Sequence, residues 1–224
     1  MIKPDGQILV IFGASGDLTK RKLLPSLYEL FARDMLPENF VILGVARTPF
    51  SDEEFRIQQK DNLKAFLKGK HPEAKQLDAF LERVHYLGFN SDEAAEYHLL
   101  VEKIAELRKA KDIPDHLIFY LATPPQKYGP IAEALRKSKL NKASEEGGWR
   151  RIIVEKPFGS SLETAQALNK QLCSIFDEED IYRIISWGKR RYRIYSCFGL
   201  PTRFSSRCGI GITSILSKFM RLKN

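Results

Sequence analysis

The chain has 224 residues, 43% hydrophobic and 29% charged, with a formal charge of +8, and that length can bury a substantial core without disulfides. No apolar run approaches the roughly 18 residues of a membrane span, Met1-Ile2-Lys3-Pro4-Asp5-Gly6 is not a signal peptide, and three cysteines without metal or redox spacing fit a reducing compartment; a soluble cytoplasmic protein is expected. The charge does not imply nucleic acid, because Ile185 to Asn224 holds nine basic residues and no acidic one, which leaves the first 184 residues at −1.

In chain order, Ile8-Leu9-Val10-Ile11-Phe12 reads as a strand buried on both faces. It breaks into Gly13-Ala14-Ser15-Gly16-Asp17-Leu18-Thr19-Lys20, where glycines three apart allow a sharp turn. Leu23 to Phe31 has helical spacing, and Val41 to Ala46 is a second buried strand, completing one βαβ unit. Ser51 to about Arg83 reads as two surface helices interrupted at Gly69-Lys70-His71-Pro72, and Val84 to Leu87 as a weak short strand. Ala94 to Lys109 is an amphipathic helix, Leu117 to Leu121 a strand ended by Ala122-Thr123-Pro124-Pro125, and Ile131 to Leu140 a helix. After a loop from Asn141 to Gly148, Arg151 to Val154 is a strand entering Glu155-Lys156-Pro157-Phe158-Gly159. Ser160 with Glu163 offers a capping box for a helix running through Ile175.

Strands alternating with helices imply an α/β architecture, a Rossmann-like doubly wound parallel sheet, in which ligands bind beyond the carboxyl ends of the strands. The residues just past each strand are therefore the candidate site. The Gly13–Lys20 turn and the helix after it make an anion site, with Lys20, Arg21 and Lys22 adding charge. Only the G-x-x-G part of the usual dinucleotide spacing is present, so a turn that binds nothing stays open. Arg47 with Thr48 at the second strand end suits a 2′-phosphate and favours NADP over NAD; the plain alternative is a solvated arginine. Thr123-Pro124-Pro125 can wall a flat ring, and Tyr128 can stack on the cofactor or merely cover the next helix. Lys156 can hold a hydroxyl or phosphate near the nicotinamide, or form an ordinary surface pair with Glu155. His71, His85, His98 and His116 are placed on helices or loops, away from strand ends, and share no metal-ligand spacing; no metal is expected.

Gly13-Ala14-Ser15-Gly16-Asp17-Leu18-Thr19-Lys20, Leu36-Pro37-Glu38-Asn39, Val45-Ala46-Arg47-Thr48, Pro124-Pro125 with Tyr128, and Glu155-Lys156-Pro157-Phe158-Gly159 together resemble the glucose-6-phosphate dehydrogenase family. The resemblance covers about Ile8 to Ile184. It implies an NADP-binding domain over residues 1–184, with Gly13, Ala14, Ser15, Gly16, Asp17, Leu18, Thr19, Lys20, Arg47, Tyr128 and Lys156 contacting NADP and Lys156 also touching the sugar phosphate. It further implies oxidation of glucose 6-phosphate at C1 to the lactone, opening the oxidative pentose-phosphate route, and a homo-oligomer for the intact family member.

After Tyr182-Arg183-Ile184 the family continues with Asp, His, Tyr and Lys of a phosphate-gripping motif, whereas this chain reads Ile185-Ser186-Trp187-Gly188-Lys189-Arg190. Stepping back one base in permitted codons for Ser186 to Arg190 gives Leu-Gly-Lys-Glu, and the match to the family continues through Met220. Residues 185–224 are thus expected to be a frameshifted, disordered basic tail, with the family's catalytic base and its second, substrate and dimer domain missing. No catalytic residue is assigned, and the chain as written is expected to lack turnover. Two other readings compete: another Rossmann-type sugar oxidoreductase, against which the G-A-S-G-D-L turn speaks, and a non-catalytic nucleotide-binding or basic-tail interaction protein.

Overall fold

The computed structural model describes residues 5–67, 72–144, 147–187 and 191–195. The elements run β1 (Gln7–Phe12), α1 (Leu24–Ala32), β2 (Phe40–Ala46), α2 (Asp52–Phe66), α3 (Ala74–Leu81), β3 (Val84–Gly88), α4 (Tyr97–Lys111), β4 (His116–Leu121), α5 (Tyr128–Lys137), β5 (Trp149–Glu155), α6 (Leu162–Cys173), β6 (Ile181–Trp187) and β7 (Arg191–Tyr195). The sheet order is β3-β2-β1-β4-β5-β6-β7. The first six strands are parallel, and β7 is antiparallel to β6.

The apolar runs form strands because the sheet is sandwiched. Leu9 and Ile11 of β1 pack in one core with Leu24, Leu27, Phe55 and Phe80 from α1, α2 and α3. Ile8, Val10 and Phe12 pack in a second core with Leu100, Ile104, Ile131, Leu135 and Leu172 from α4, α5 and α6. Alternate side chains on opposite faces, all apolar, give a strand with no polar face, as parallel central strands require. Crossover reverses between β1 and β4, which sets the switch point there.

Several expectations shift. The capping box of α6 sits one residue later than read: Ser161 accepts from the Thr164 amide, and Thr164 Oγ1 accepts from the Ser161 amide at 2.9 Å. A threonine hydroxyl serves there as well as a glutamate carboxylate, so two adjacent serines left the register open. Residues 185–187, expected in the disordered tail, extend β6, and 191–195 form β7. Ile, Trp and Tyr in those stretches favour extended backbone, and an edge strand can supply ladder partners whatever its reading frame. The rest of the tail, and His71, lie outside the described residues.

His85 lies within β3, not on a helix or loop, and His116 opens β4 with its ring stacked on Trp149 at 4.8 Å. Because β3 is an edge strand, α2 covers it with side chains. Asp52 accepts from the Tyr86 amide at 2.6 Å and contacts His85 Nδ1 at 2.9 Å, while Arg56 donates to the Val84 carbonyl at 2.7 Å. These contacts stand where another strand would pair. Burial pushes the Asp52 carboxyl up, but the bonds from His85 and Tyr86 outweigh it and the pKa is lowered.

At the amino edge of the sheet, Asp115 joins α4, β4 and β5. Its carboxylate takes two bonds from Arg150 at 2.8 Å, a third cation contact from Arg108 at 2.6 Å, and the Ser144 amide at 2.7 Å. Both Asp115 and Arg150 are buried. Burial alone would raise the Asp115 pKa, yet these donors hold it below the usual carboxylate value. Replacing Asp115 with alanine leaves the Arg150 guanidinium buried without its counter-ion and should cost about 3–5 kcal/mol in urea unfolding. The lowered folded-state pKa makes this stabilisation fully present above about pH 4, the ordinary unfolded value, and lost as pH falls through the folded value. Acid titration of the Asp115→Ala variant should therefore show a shallower loss of stability below pH 4 than that of the unsubstituted chain.

Candidate functional site

The carboxyl edge of the sheet gathers the predicted strand-end residues. Gly13 follows β1 with φ +85°, and a Cβ there would stand 2.5 Å from the Ala122 carbonyl oxygen, so only glycine fits. The amides of Gly13 and Ala14 both reach the Val45 carbonyl, at 2.9 and 3.0 Å, and the Ala122 amide reaches Phe12 O at 2.9 Å. The turn is thus tied to β2 and β4 at once. Gly16 then donates to the Gly13 carbonyl at 2.9 Å, and the buried Thr19 hydroxyl donates to the same oxygen at 3.2 Å.

These bonds correct part of the sequence reading. The amides of Gly13, Ala14 and Gly16 are engaged within the protein, which leaves the Ser15 amide and the first turn of the helix that follows as the candidate donors to an anion. Ala14 is fully buried, and a Cβ on Gly44 would come within 2.8 Å of its methyl; Leu18 packs against the core. Both serve as scaffold. Arg21 does not add free charge: it pairs with exposed Asp17 at 2.6 Å and lies over the Phe66 ring at 5.2 Å. Thr19–Leu23 forms a single π turn before α1. Pro25 has no N–H for the Arg21 carbonyl, and the wider turn accommodates that gap.

Arg47 is the first residue after β2 and is exposed. Its loop is pinned from β3, where the Tyr86 hydroxyl donates to Thr48 O at 2.6 Å and its ring stacks on Phe55 at 4.4 Å. Burial pushes the Tyr86 phenol up to about 12, so it remains a donor at neutral pH. Sequence reasoning missed this residue; its aromatic ring on the inward face of β3 was the available signal.

Past β4, the Thr123 hydroxyl is buried without a hydrogen-bond partner among the described residues. Lys127 pairs with Asp92 at 2.5 Å across the neighbouring loop. A cleft of about 450 Å³ opens beside Pro125, Gly129, Pro157, Phe158 and Leu168. Tyr128 does not present its ring for stacking: it is 2% exposed, and its hydroxyl donates to the Glu155 carbonyl at 3.2 Å. Burial pushes that phenol up to about 12 as well. Lys156 is exposed directly after β5, joined to Pro157 by a cis peptide bond, and its amide donates to Ile184 O at 3.3 Å.

Among the described residues, the side chains of Lys20, Arg47 and Lys156 make no hydrogen bond or ion pair, and no cluster of His, Cys, Asp and Glu could hold a metal. Three cations uncommitted among the described residues thus stand in the π turn after β1 and directly after β2 and β5. With the glycine turn that a Cβ would fill and the orphaned Thr123 hydroxyl at the switch point, these residues fit a phosphate-bearing dinucleotide.

A doubly wound sheet with this switch point defines a nicotinamide-dinucleotide-binding domain. The family described as glucose-6-phosphate dehydrogenase, NAD binding domain, matches residues 10–187. The chain belongs to that family. It is 43% identical over 183 residues to glucose-6-phosphate 1-dehydrogenase of Aggregatibacter actinomycetemcomitans, covering 82% of this chain and 36% of the relative. The Treponema pallidum enzyme is 43% identical over 178 residues, covering 79% and 34%. A solved glucose-6-phosphate dehydrogenase in complex with its substrate glucose-6-phosphate superposes with a TM-score of 0.71 at 33% identity, covering 83% of this chain and 37% of that one. The chain spans about a third of the length of these relatives.

The two turn glycines should separate fold from binding. Gly13→Ala forces a Cβ into the Ala122 carbonyl and should destabilise the domain by at least about 1–3 kcal/mol. A Cβ at Gly16 meets only Gly13 O, at 3.0 Å, so Gly16→Val should keep its far-UV circular dichroism and lose dinucleotide binding in a fluorescence titration with NADPH. The reverse pattern would remove the phosphate from this turn.

Proposed function

We propose that this chain is the NADP-binding part of a glucose-6-phosphate dehydrogenase, able to hold the dinucleotide and, as written, unable to turn over the sugar phosphate. The observation that carries the reading is the set of uncommitted cations Lys20, Arg47 and Lys156 around the Gly13 turn. Ser15 and the first turn of the helix face the pyrophosphate, with Lys20 adding charge. Arg47, with the Thr48 hydroxyl beside it, takes the adenosine 2′-phosphate, which only NADP carries. Lys156 reaches the nicotinamide half and the sugar phosphate as a point charge with three donors. Tyr128 acts on Lys156 through the Glu155 carbonyl, not by touching the cofactor. NADP supplies the hydride acceptor when bound.

Oxidation at C1 also needs a base for the hydroxyl proton and a clamp for the sugar phosphate. The family resemblance places both after Ile184, and residues 185–224 do not spell them. We read that stretch as a frameshifted translation, its basic excess being a consequence of the shifted frame and not a nucleic-acid surface. Among the described residues no helix is long and apolar enough to cross a membrane. Three cysteines without metal or redox spacing, of which Cys173 is exposed, suit a reducing compartment, the cytosol.

Arg47→Ala should weaken NADP by about 10- to 100-fold, the worth of a charge-assisted hydrogen bond, and leave NAD nearly unchanged. Equal weakening of both cofactors in titration would remove the 2′-phosphate from this arginine. With glucose 6-phosphate and NADP, the 224-residue chain should form no NADPH above background, while the same gene with its frame restored should; clear turnover by the chain as written would sink the assignment of chemistry to the segment after Ile184.

A further inference from the structure

Lys156 is exposed and its ammonium is held by no other side chain among the described residues. A flexible four-carbon stem can be aimed only from its base. The backbone beneath it is fixed from three directions. Tyr120 of β4 and Glu155 of β5 lie on the same face of the sheet, since Tyr120 pairs with Ile153 and Glu155 follows two residues on. The Tyr120 hydroxyl donates to the Glu155 carboxylate. From the opposite layer, the Tyr128 hydroxyl of α5 donates to the Glu155 carbonyl at 3.2 Å. Beyond it, the Lys156 amide donates to Ile184 O of β6 at 3.3 Å.

We infer that Tyr120 and Tyr128 are positioning residues that grip Glu155 from the two faces of the sheet and so aim Lys156 at the nicotinamide half of the dinucleotide. Both phenols are buried, at 0% and 2% exposure, so neither can touch a ligand. Their hydroxyls converge on one residue, and that residue immediately precedes the lysine. A strand end left to its ladder alone would fray; here the last residue of β5 is held through both its side chain and its carbonyl. The inference rests on the proposed placement of NADP across this edge. It adds that the lysine's contribution depends on two groups that never meet the cofactor.

The test compares NADP with adenosine 2′,5′-bisphosphate, which carries the groups for Arg47 but lacks the nicotinamide half. Binding to the full 224-residue chain is measured by calorimetry for Tyr120→Phe, Tyr128→Phe, Lys156→Ala and the two combinations of a tyrosine variant with Lys156→Ala. Each tyrosine variant should weaken NADP roughly tenfold, the order of one lost hydrogen bond, and leave the bisphosphate within about twofold. Neither should weaken NADP further once Lys156 is alanine. Glu155→Gln, which keeps an acceptor for Tyr120, should bind NADP within about twofold of the unsubstituted chain, and Glu155→Ala should behave like Tyr120→Phe. Equal loss of both ligands, or an undiminished tyrosine effect in the Lys156→Ala background, would overturn the inference, because general loosening of the domain has those signatures. If the unsubstituted chain binds the bisphosphate and NADP equally, Lys156 has no part in binding and the inference falls alone. If it binds neither, the dinucleotide reading itself falls and takes the inference with it.

Discussion

The structure depends on one close approach, the contact of Gly13 with the end of β4. A residue with φ +85° is pressed so near the Ala122 carbonyl that a single methyl group would collide with it. Around it the Val45 carbonyl takes two amides from the turn, and the Phe12 carbonyl takes the amide of Ala122. Three strands are thereby closed at one level. The candidate site residues are placed relative to that level, because Arg47, Thr123 and Lys156 each stand one or two residues past a strand whose register is locked to β1 directly or through β4. The geometry of the site follows from the sheet, and the sheet's upper edge follows from a residue with no side chain.

The two edges of the sheet handle charge in opposite ways. At the amino edge, the buried Asp115 carboxylate is surrounded by Arg108, Arg150 and the Ser144 amide, while the Arg150 Nε and the side chain of buried Gln7 have no hydrogen-bond partner among the described residues. At the carboxyl edge, among the described residues, the Arg47 and Lys156 side chains have no partner and the buried Thr123 hydroxyl makes no hydrogen bond. A folded domain tolerates unsatisfied groups where a ligand completes them, and a stability-driven arrangement would have paired them.

Much of the fold was legible because each central strand is a run of apolar residues between turn formers, and its both-face burial can be read from that run alone. The positions of the Gly13 turn and of the arginine after β2 were legible for the same reason, since each directly follows a strand that the apolar run marks. Other features were not. Tyr128 read equally as cofactor contact or helix cover, since only the packed structure shows its hydroxyl turned toward Glu155. The pinning of the Arg47 loop by Tyr86 joins residues 38 positions apart, and no local pattern carries it. Asp52 and Arg56 looked like surface charges on a helix, but they finish the edge of β3 because that strand has a neighbour on one side only.

On the proposed reading, binding and turnover separate along the chain for a physical reason. The dinucleotide asks for backbone donors, a cradle without side chains and a few fixed cations, all of which a single sheet edge supplies within residues 13–156. Hydride transfer from a sugar asks for more: the C1 hydroxyl must meet a base while the far phosphate is clamped, so groups must surround the sugar from outside the sheet edge. On the proposed reading, the carboxyl edge of this sheet supplies one wall of that enclosure. Lys156 stands directly after β5, where the proposed reading places the meeting of the cofactor half and the sugar phosphate. Its anchoring through Glu155, by the Tyr120 and Tyr128 hydroxyls from the two faces of the sheet, ties the placement of that lysine to the core of the domain.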